Sequence, residues 1–217
     1  VKNMFGLKGA NFNIVSACSA GTHGLIFAND LIKSGKFDIV LVCGTDTMSE
    51  TVVGGFNTLQ AGSVNGSSPF STEIGLSLGD GAGCMILESC KSASMRGAKV
   101  QAQIFGTGFF GDAYHNTSPD LEGTGLFKSM EKAIQDSGVD KKNIKVVCAH
   151  GTGTFTSDVI ETFAIKKCFN ENMNDLFVTS TKSMTGHTLG PSGIIQAIIM
   201  IDCMNKNMVI PILNFKE

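Results

Sequence analysis

Short apolar runs, each closed by glycine or small polar residues, fill most of the chain. Residues 13–17, Asn-Ile-Val-Ser-Ala, read as a strand. The stretch 19–34 places Leu25, Ile26, Phe27, Leu31 and Ile32 at helical spacing behind a run of small residues, and Gly35 supplies a stop. Residues 39–43 are apolar throughout, the pattern of a strand buried on both faces. Together they predict a β-α-β unit with Cys18 at the turn from strand to helix.

The same grammar returns later. A strand over 144–149 ends at His150, and a Gly/Thr loop follows. A helix is predicted over 158–169 and a strand from 177–179. Gly190-Pro191-Ser192 then opens a last helix through Met204, with Pro191 suited to its first turn. The fold class is therefore α/β, in two halves at 1–99 and 100–217 that share this grammar without a detectable repeat.

Apolar residues make up 42% and charged residues 17% of the chain, enough to bury a core and too few charges for disorder. The net charge of −2 argues against a nucleic-acid binder, which would show a basic face. No apolar stretch reaches the roughly 18 residues of a membrane span. Seven cysteines show no CxxC or Cys/His ligand spacing, and Cys43 and Cys84 sit in apolar runs. That is the pattern of free thiols in a reducing cytoplasm, with neither a disulfide scaffold nor a metal site.

Three strand-end positions carry candidate chemistry. Cys18, at the head of a helix, faces the positive end of the helix dipole, which favours the thiolate, and Ser19, Ala20 and Gly21 are small enough for a substrate to approach. His150 stands at the carboxyl end of a predicted parallel strand, where open α/β sheets hold ligands. Beside it Gly151 and Gly153 leave the backbone bare, and Thr152 and Thr154 offer hydroxyls to a polar, extended substrate arm. Lys182 and His187 share the polar loop before the last helix. Taken singly, each has a plain reading as a turn or loop residue. Asp158 and Glu161 read as a helix-capping pair. His115 lies in a polar loop suited to a substrate entrance, and His23 reads as a packed helix residue. Gly79-Asp80-Gly81-Ala82-Gly83 is a structural turn and not a nucleotide loop, because it precedes a strand and lacks the following Lys.

In order along the chain, several blocks resemble those of the β-ketoacyl-acyl carrier protein synthases, in the thiolase-like superfamily. They are Ser16-Ala17-Cys18-Ser19-Ala20-Gly21, Gly54-Gly55-Phe56-Asn57, Leu78-Gly79-Asp80-Gly81-Ala82-Gly83 and Asp112-Ala113-Tyr114-His115, followed by the two histidine motifs, 149–154 and 182–187. The resemblance spans essentially the whole chain. It implies a layered αβαβα thiolase-like fold, incomplete at both ends, and a homodimer (or a heterodimer) in which the 13–17 strand pairs across the interface. It also implies that Cys18 takes an acyl chain from an acyl carrier protein thioester. A malonyl thioester then loses carbon dioxide, and the resulting carbanion attacks the acyl–Cys18 thioester. His150 and His187 would donate hydrogen bonds to the thioester oxygen, and the Cys18 N–H would serve an oxyanion hole. Lys182 would support the histidines, with Glu161 as its ionic partner. Thr152, Thr154, Thr117 and His115 match positions that meet the phosphopantetheine arm. That arm belongs to the carrier protein, so no cofactor of the chain's own is implied.

By the same resemblance the chain begins and ends inside a full-length synthase, so the glycine-rich gating loop and part of the acyl pocket are expected outside it. The 69–75 loop lacks the family's Arg-Asp pair, and Gln196 stands where fatty-acid members often carry Glu. Two other classes compete. A non-condensing subunit that binds carrier protein would not need Cys18, His150 and His187 together. A thiolase using coenzyme A fits the two separate histidine motifs less well than the decarboxylating branch does.

Overall fold

The computed structural model describes residues 1–115 and 118–217. Helix α1 (Ala20–Lys33) leads into β1 (Ile39–Asp46), which pairs antiparallel with β2 (Gly81–Glu88) so that Cys43 faces Cys84. Gly35 ends α1 as expected. Its left-handed φ of 71° lets the Gly35 and Lys36 N–H groups close on the Ile32 and Leu31 carbonyls. Between the strands lies α2 (Glu50–Thr58), capped by the Ser49 hydroxyl, and after them α3 (Cys90–Met95).

The second half contains α4 (Thr124–Ser137), β3 (Val146–Cys148), α5 (Phe155–Phe169), β4 (Phe177–Thr179), the single turn α6 (Lys182–Thr185) and α7 (Ser192–Asn205). Strands β3 and β4 run parallel, Val147 beside Val178. Two cores result. In one, α1 and α7 cover the first sheet through Ala28, Val42, Leu87 and Ile194. In the other, Ala149, Ile165, Cys168 and Phe169 pack with Phe127, Met130 and Ile134 of α4. Gln196 of α7 reaches the second sheet by donating to the Ala149 carbonyl at 2.8 Å. The packing order is thus β1–β2, α1 with α7, β3–β4, then α5 with α4.

The crossing of α1 and α7 decides where the site lies. A Cβ on Gly193 would fall 2.2 Å from Thr22 Oγ1, and one on Gly21 would fall 2.9 Å from the Gly190 carbonyl. The Gly21 N–H donates to that carbonyl at 2.9 Å. Only bare backbone permits this approach, so Gly21 and Gly193 let two helix starts touch.

Two strand expectations change. Residues 13–17 form no strand, because a ladder needs a neighbour and none lies alongside among the described residues; instead Ala17–Ser19 make a 3₁₀ turn. Strand β1 is buried on one face only. Val42 is covered, whereas Ile39 and Cys43 are open, and its partner runs antiparallel. No helix is long and apolar enough to cross a membrane, among the described residues.

Candidate active site

Cys18 sits half-buried in the 3₁₀ turn ahead of α1. Ala17 before it has φ 43°, a left-handed conformation that residues with a Cβ seldom adopt. The Ser16 carbonyl holds this turn, accepting the Ser19 N–H at 3.0 Å and the Ser19 hydroxyl at 2.7 Å. Across the helix crossing lies His187, whose Nε2 is 3.1 Å from Cys18 Sγ. The His187 N–H donates to the Ser77 carbonyl at 2.7 Å, and the His187 carbonyl accepts the Gly79 N–H at 3.1 Å. The expected turn over 79–83 is instead a strand start, since Gly81, Ala82 and Gly83 open β2, and the Ser77 and Gly79 backbone just ahead of it holds His187.

Backbone geometry assigns the tautomer. The Leu189 N–H, which can only donate, meets His187 Nδ1 at 3.3 Å. Nδ1 therefore presents its lone pair and the proton resides on Nε2, toward Cys18. The same logic applies to His150, whose ring stands 5.2 Å from that of His187 at 85°. The Lys182 ammonium lies 3.4 Å from His150 Nδ1 and also donates to the His150 carbonyl, so His150 too carries its proton on Nε2.

Lys182 is only 2% exposed. Burial lowers its proton affinity, and the charge of Glu161 is the largest influence opposing that. The expected Lys182–Glu161 ion pair is nevertheless not a direct contact: among the described residues Lys182 has no carboxylate within ion-pair distance. Both residues instead grip the His150 backbone. The lysine takes its carbonyl, and the glutamate accepts the N–H groups of His150 at 2.6 Å and Gly151 at 2.7 Å. The capping reading of Asp158 and Glu161 is also corrected. Helix α5 starts at Phe155, three residues earlier than expected, and Asp158 accepts the N–H groups of Thr152 at 3.1 Å and Phe70 at 2.7 Å, and that of Gly153. Gly151 and Gly153 are bare for packing: a Cβ would lie 2.7 Å from Ser180 Cβ and 2.5 Å from the Gly75 carbonyl, respectively.

Burial, helped by the Lys182 charge, pushes His187 down to about 4. His150 is pushed to about 3 by crowding, by Lys182 and by His187, although its ring keeps an edge open to solvent. Both imidazoles are neutral N–H donors at neutral pH. The thiol behaves otherwise than the helix-end position suggested. Burial raises the Cys18 pKa, outweighing the Lys182 charge and a backbone hydrogen bond, and Asp46 adds to the rise. Desolvation of the thiolate outweighs the stabilising influences around it.

Thr152 and Thr154 place their hydroxyls 2.9 Å apart in the loop between His150 and α5. His115 is exposed on the irregular segment before α4, and Thr117 lies outside the described residues. His23 packs its ring 5.8 Å from that of Phe109. Three partners were not singled out from the sequence as site residues: Asp46, which accepts the Gly190 N–H at 3.3 Å, and the Thr188 and Ser192 hydroxyls behind His187. Thr188 and Ser192 had only their closeness to His187 in sequence as a signal, and Asp46, at the end of β1, had none. No cluster among the described residues is suited to a metal ion. The arrangement offers one Nε2–H donor beside a thiol and a second imidazole next to the first, a set suited to holding charge on a thioester oxygen.

Residues 1–93 match the family model "Beta-ketoacyl synthase, N-terminal domain", and residues 101–216 match "Beta-ketoacyl synthase, C-terminal domain". The chain belongs to the beta-ketoacyl synthase family. It is 36% identical to the 3-oxoacyl-(acyl-carrier-protein) synthase 2 of Coxiella burnetii, over 98% of this chain and 53% of that protein. It is 40% identical to the enzyme of the same name from Vibrio cholerae, over 97% of this chain and 53% of that protein. Among solved structures it resembles a beta-ketoacyl synthase from Burkholderia phymatum, with a TM-score of 0.94 and 34% identity over 100% of this chain and 53% of that one. It also resembles AntDE:AntF, described as a type II PKS acyl-carrier protein in complex with its ketosynthase bound to the hexaketide. There the TM-score is 0.95 and the identity 29%, over 99% of this chain and 55% of that one. The fold is thus that of the thiolase-like ketosynthases, and the chain spans about half the length of the curated relatives it matches.

Proposed function

We propose that this chain carries the condensing centre of a 3-oxoacyl-acyl carrier protein synthase, an acyltransferase of fatty-acid or polyketide synthesis. The observation that carries the reading is the His187 imidazole, with its proton on Nε2, 3.1 Å from the Cys18 thiol, and the His150 ring 5.2 Å from that of His187. In the first half-reaction Cys18 attacks an acyl thioester on the carrier protein, and the carrier thiol leaves with the thiol proton. The His187 N–H and the Lys182 charge stabilise the thiolate against its burial. In the second, the malonyl thioester oxygen accepts the two imidazole N–H bonds. The bond to the carboxylate breaks, carbon dioxide leaves, and the enolate carbon attacks the acyl–Cys18 carbonyl. Cys18 departs as thiolate and is reprotonated, leaving 3-oxoacyl-carrier protein.

Thr152 and Thr154 are proposed to meet the phosphopantetheine arm, which arrives on the acyl carrier protein, together with His115 and Thr117. No cofactor of the chain's own enters this scheme. Residues 13–17, without a strand neighbour among the described residues, support pairing with a second subunit, a like one or a chain-length-factor type, in the cytoplasm. Solved relatives that are ketosynthase and chain length factor complexes support the second option. The test uses the full-length protein carrying this sequence, with acyl- and malonyl-carrier protein. The wild type acquires the acyl mass on the Cys18 peptide and forms 3-oxoacyl product, and Cys18→Ala does neither. Product at the wild-type rate from Cys18→Ala would falsify the scheme.

A further inference from the structure

Behind His187 lies a hydroxyl pair that the condensation scheme leaves unused. Ser192 Oγ is 3.1 Å from His187 Nδ1 and 3.1 Å from Thr188 Oγ1. All three residues are sealed from water, at 2% exposure for His187, 3% for Thr188 and 4% for Ser192. The directions follow from the partners. Nδ1 already accepts the Leu189 N–H, so it offers only a lone pair, and the Ser192 hydroxyl turned toward it donates. With that one proton committed, the Thr188 hydroxyl donates to Ser192 in turn. The relay runs from Thr188 to Ser192 to Nδ1, and on the far side of the ring Nε2 faces Cys18 Sγ.

The backbone is bent to make this possible. Leu189 has φ 57°, the left-handed region, and the Ser192 N–H closes the turn on the Leu189 carbonyl at 3.0 Å. That turn returns both an N–H and a hydroxyl to one nitrogen. At 3.3 Å the N–H alone is a long bond, and the hydroxyl is the closer donor. The titratable groups around the ring are Cys18 from the turn before α1, His150 from the loop after β3 and Lys182 from α6. The Nδ1 partners, by contrast, are both neutral.

We propose that Ser192, fed by Thr188, is a positioning residue that locks His187 as the Nε2–H tautomer aimed at Cys18. Its catalytic meaning rests on the condensing reading above. Without the hydroxyl, Nδ1 keeps one long bond, and protonation of that nitrogen becomes less unfavourable.

The test compares wild type, Ser192→Ala, Ser192→Thr and the isosteric Thr188→Val in the full-length protein carrying this sequence. Nitrogen-15 NMR of labelled histidine reads the His187 tautomer and titration, alongside steady-state condensation kinetics. The wild type should show Nε2–H alone. Ser192→Ala should show mixed tautomers and an upward-shifted titration. Its kcat should fall about tenfold, the rate equivalent of one hydrogen bond, with KM for carrier protein unchanged. Thr188→Val should lie between them, and Ser192→Thr, which keeps a hydroxyl, should recover the wild-type signature. A single Nε2–H tautomer with unmoved titration in both Ser192→Ala and Thr188→Val overturns the assignment. Should Ser192→Ala not fold, Thr188→Val decides by the same two readings. A tautomer shift in a protein that makes no condensation product would uphold the assignment of Ser192 and sink the condensing reading instead.

Discussion

Glu161 places one carboxylate oxygen on the N–H of His150 and the other on that of Gly151, at 2.6 and 2.7 Å. The carboxylate is almost wholly buried, and burial raises its pKa despite those two bonds and the Lys182 charge. Its position therefore depends on having two acceptors. Glu161→Gln presents an NH₂ group to one of the two N–H donors and removes the charge opposite Lys182. Stability should fall by about 2–4 kcal/mol in urea denaturation, the cost of unsatisfied buried polar groups. A change under about 0.5 kcal/mol, ordinary for a surface site, would rule out this role.

The α1–α7 crossing should tolerate no side chain at Gly193. A Cβ there would also lie 2.7 Å from the Thr22 backbone N, which cannot swing aside. Gly193→Ala is expected to push the helix starts apart, lowering stability by about 1–3 kcal/mol, an overpacking cost. Because Cys18 and His187 ride on those two starts, acylation of Cys18 should slow more than the thermal midpoint suggests. Acylation at the wild-type rate in a folded Gly193→Ala protein would show that the crossing does not set the site.

The pH dependence of stability has a definite sign for His187. Its folded pKa of about 4 lies below the ordinary 6.5, so the unfolded chain binds more protons between those values. Stability from keeping it neutral is complete above about 6.5 and is lost as pH falls toward 4. Between pH 7 and pH 5 the loss is about 2 kcal/mol. His150 shifts in the same direction, with a smaller effect because its ring edge is open. Urea midpoints at the two pH values, compared with those of His187→Asn, isolate the contribution. An equal loss in the variant would remove His187 from this account.

Alkylation by iodoacetamide should find Cys18 an unactivated thiol in the absence of substrate. Burial raises its pKa, and Lys182 is the leading influence pulling it back. The pH–rate profile, read from the Cys18 peptide by mass spectrometry, should rise no earlier than that of an ordinary cysteine. In Lys182→Met it should move higher still. A midpoint near pH 6–7 would restore the helix-dipole account, since helix-activated thiols fall in roughly that range.

Much of this protein is written locally. Helices α1 and α7, the Gly35 stop, the strand ending at His150 and the candidate trio all follow from periodicity and ordered motifs, because helix period and turn chemistry act over a few residues. Other features rest on a partner distant in the chain. Residues 13–17 have strand composition but no strand neighbour among the described residues, and β1 has a both-faces-buried pattern but one open face. The proton affinity of Cys18 likewise depends on distant parts of the chain: the helix start is local, whereas the burial that raises its pKa comes from elements packed around it. Cys18 and His187, 169 residues apart, meet at 3.1 Å only because bare backbone lets α1 and α7 touch. The sequence by itself singled out Cys18, His150, Lys182 and His187 as candidates. Tertiary structure decided which nitrogen holds each proton, what Glu161 and Asp158 grip and that Ser192 stands behind His187, since hydrogen-bond direction is set by the partner that folding supplies.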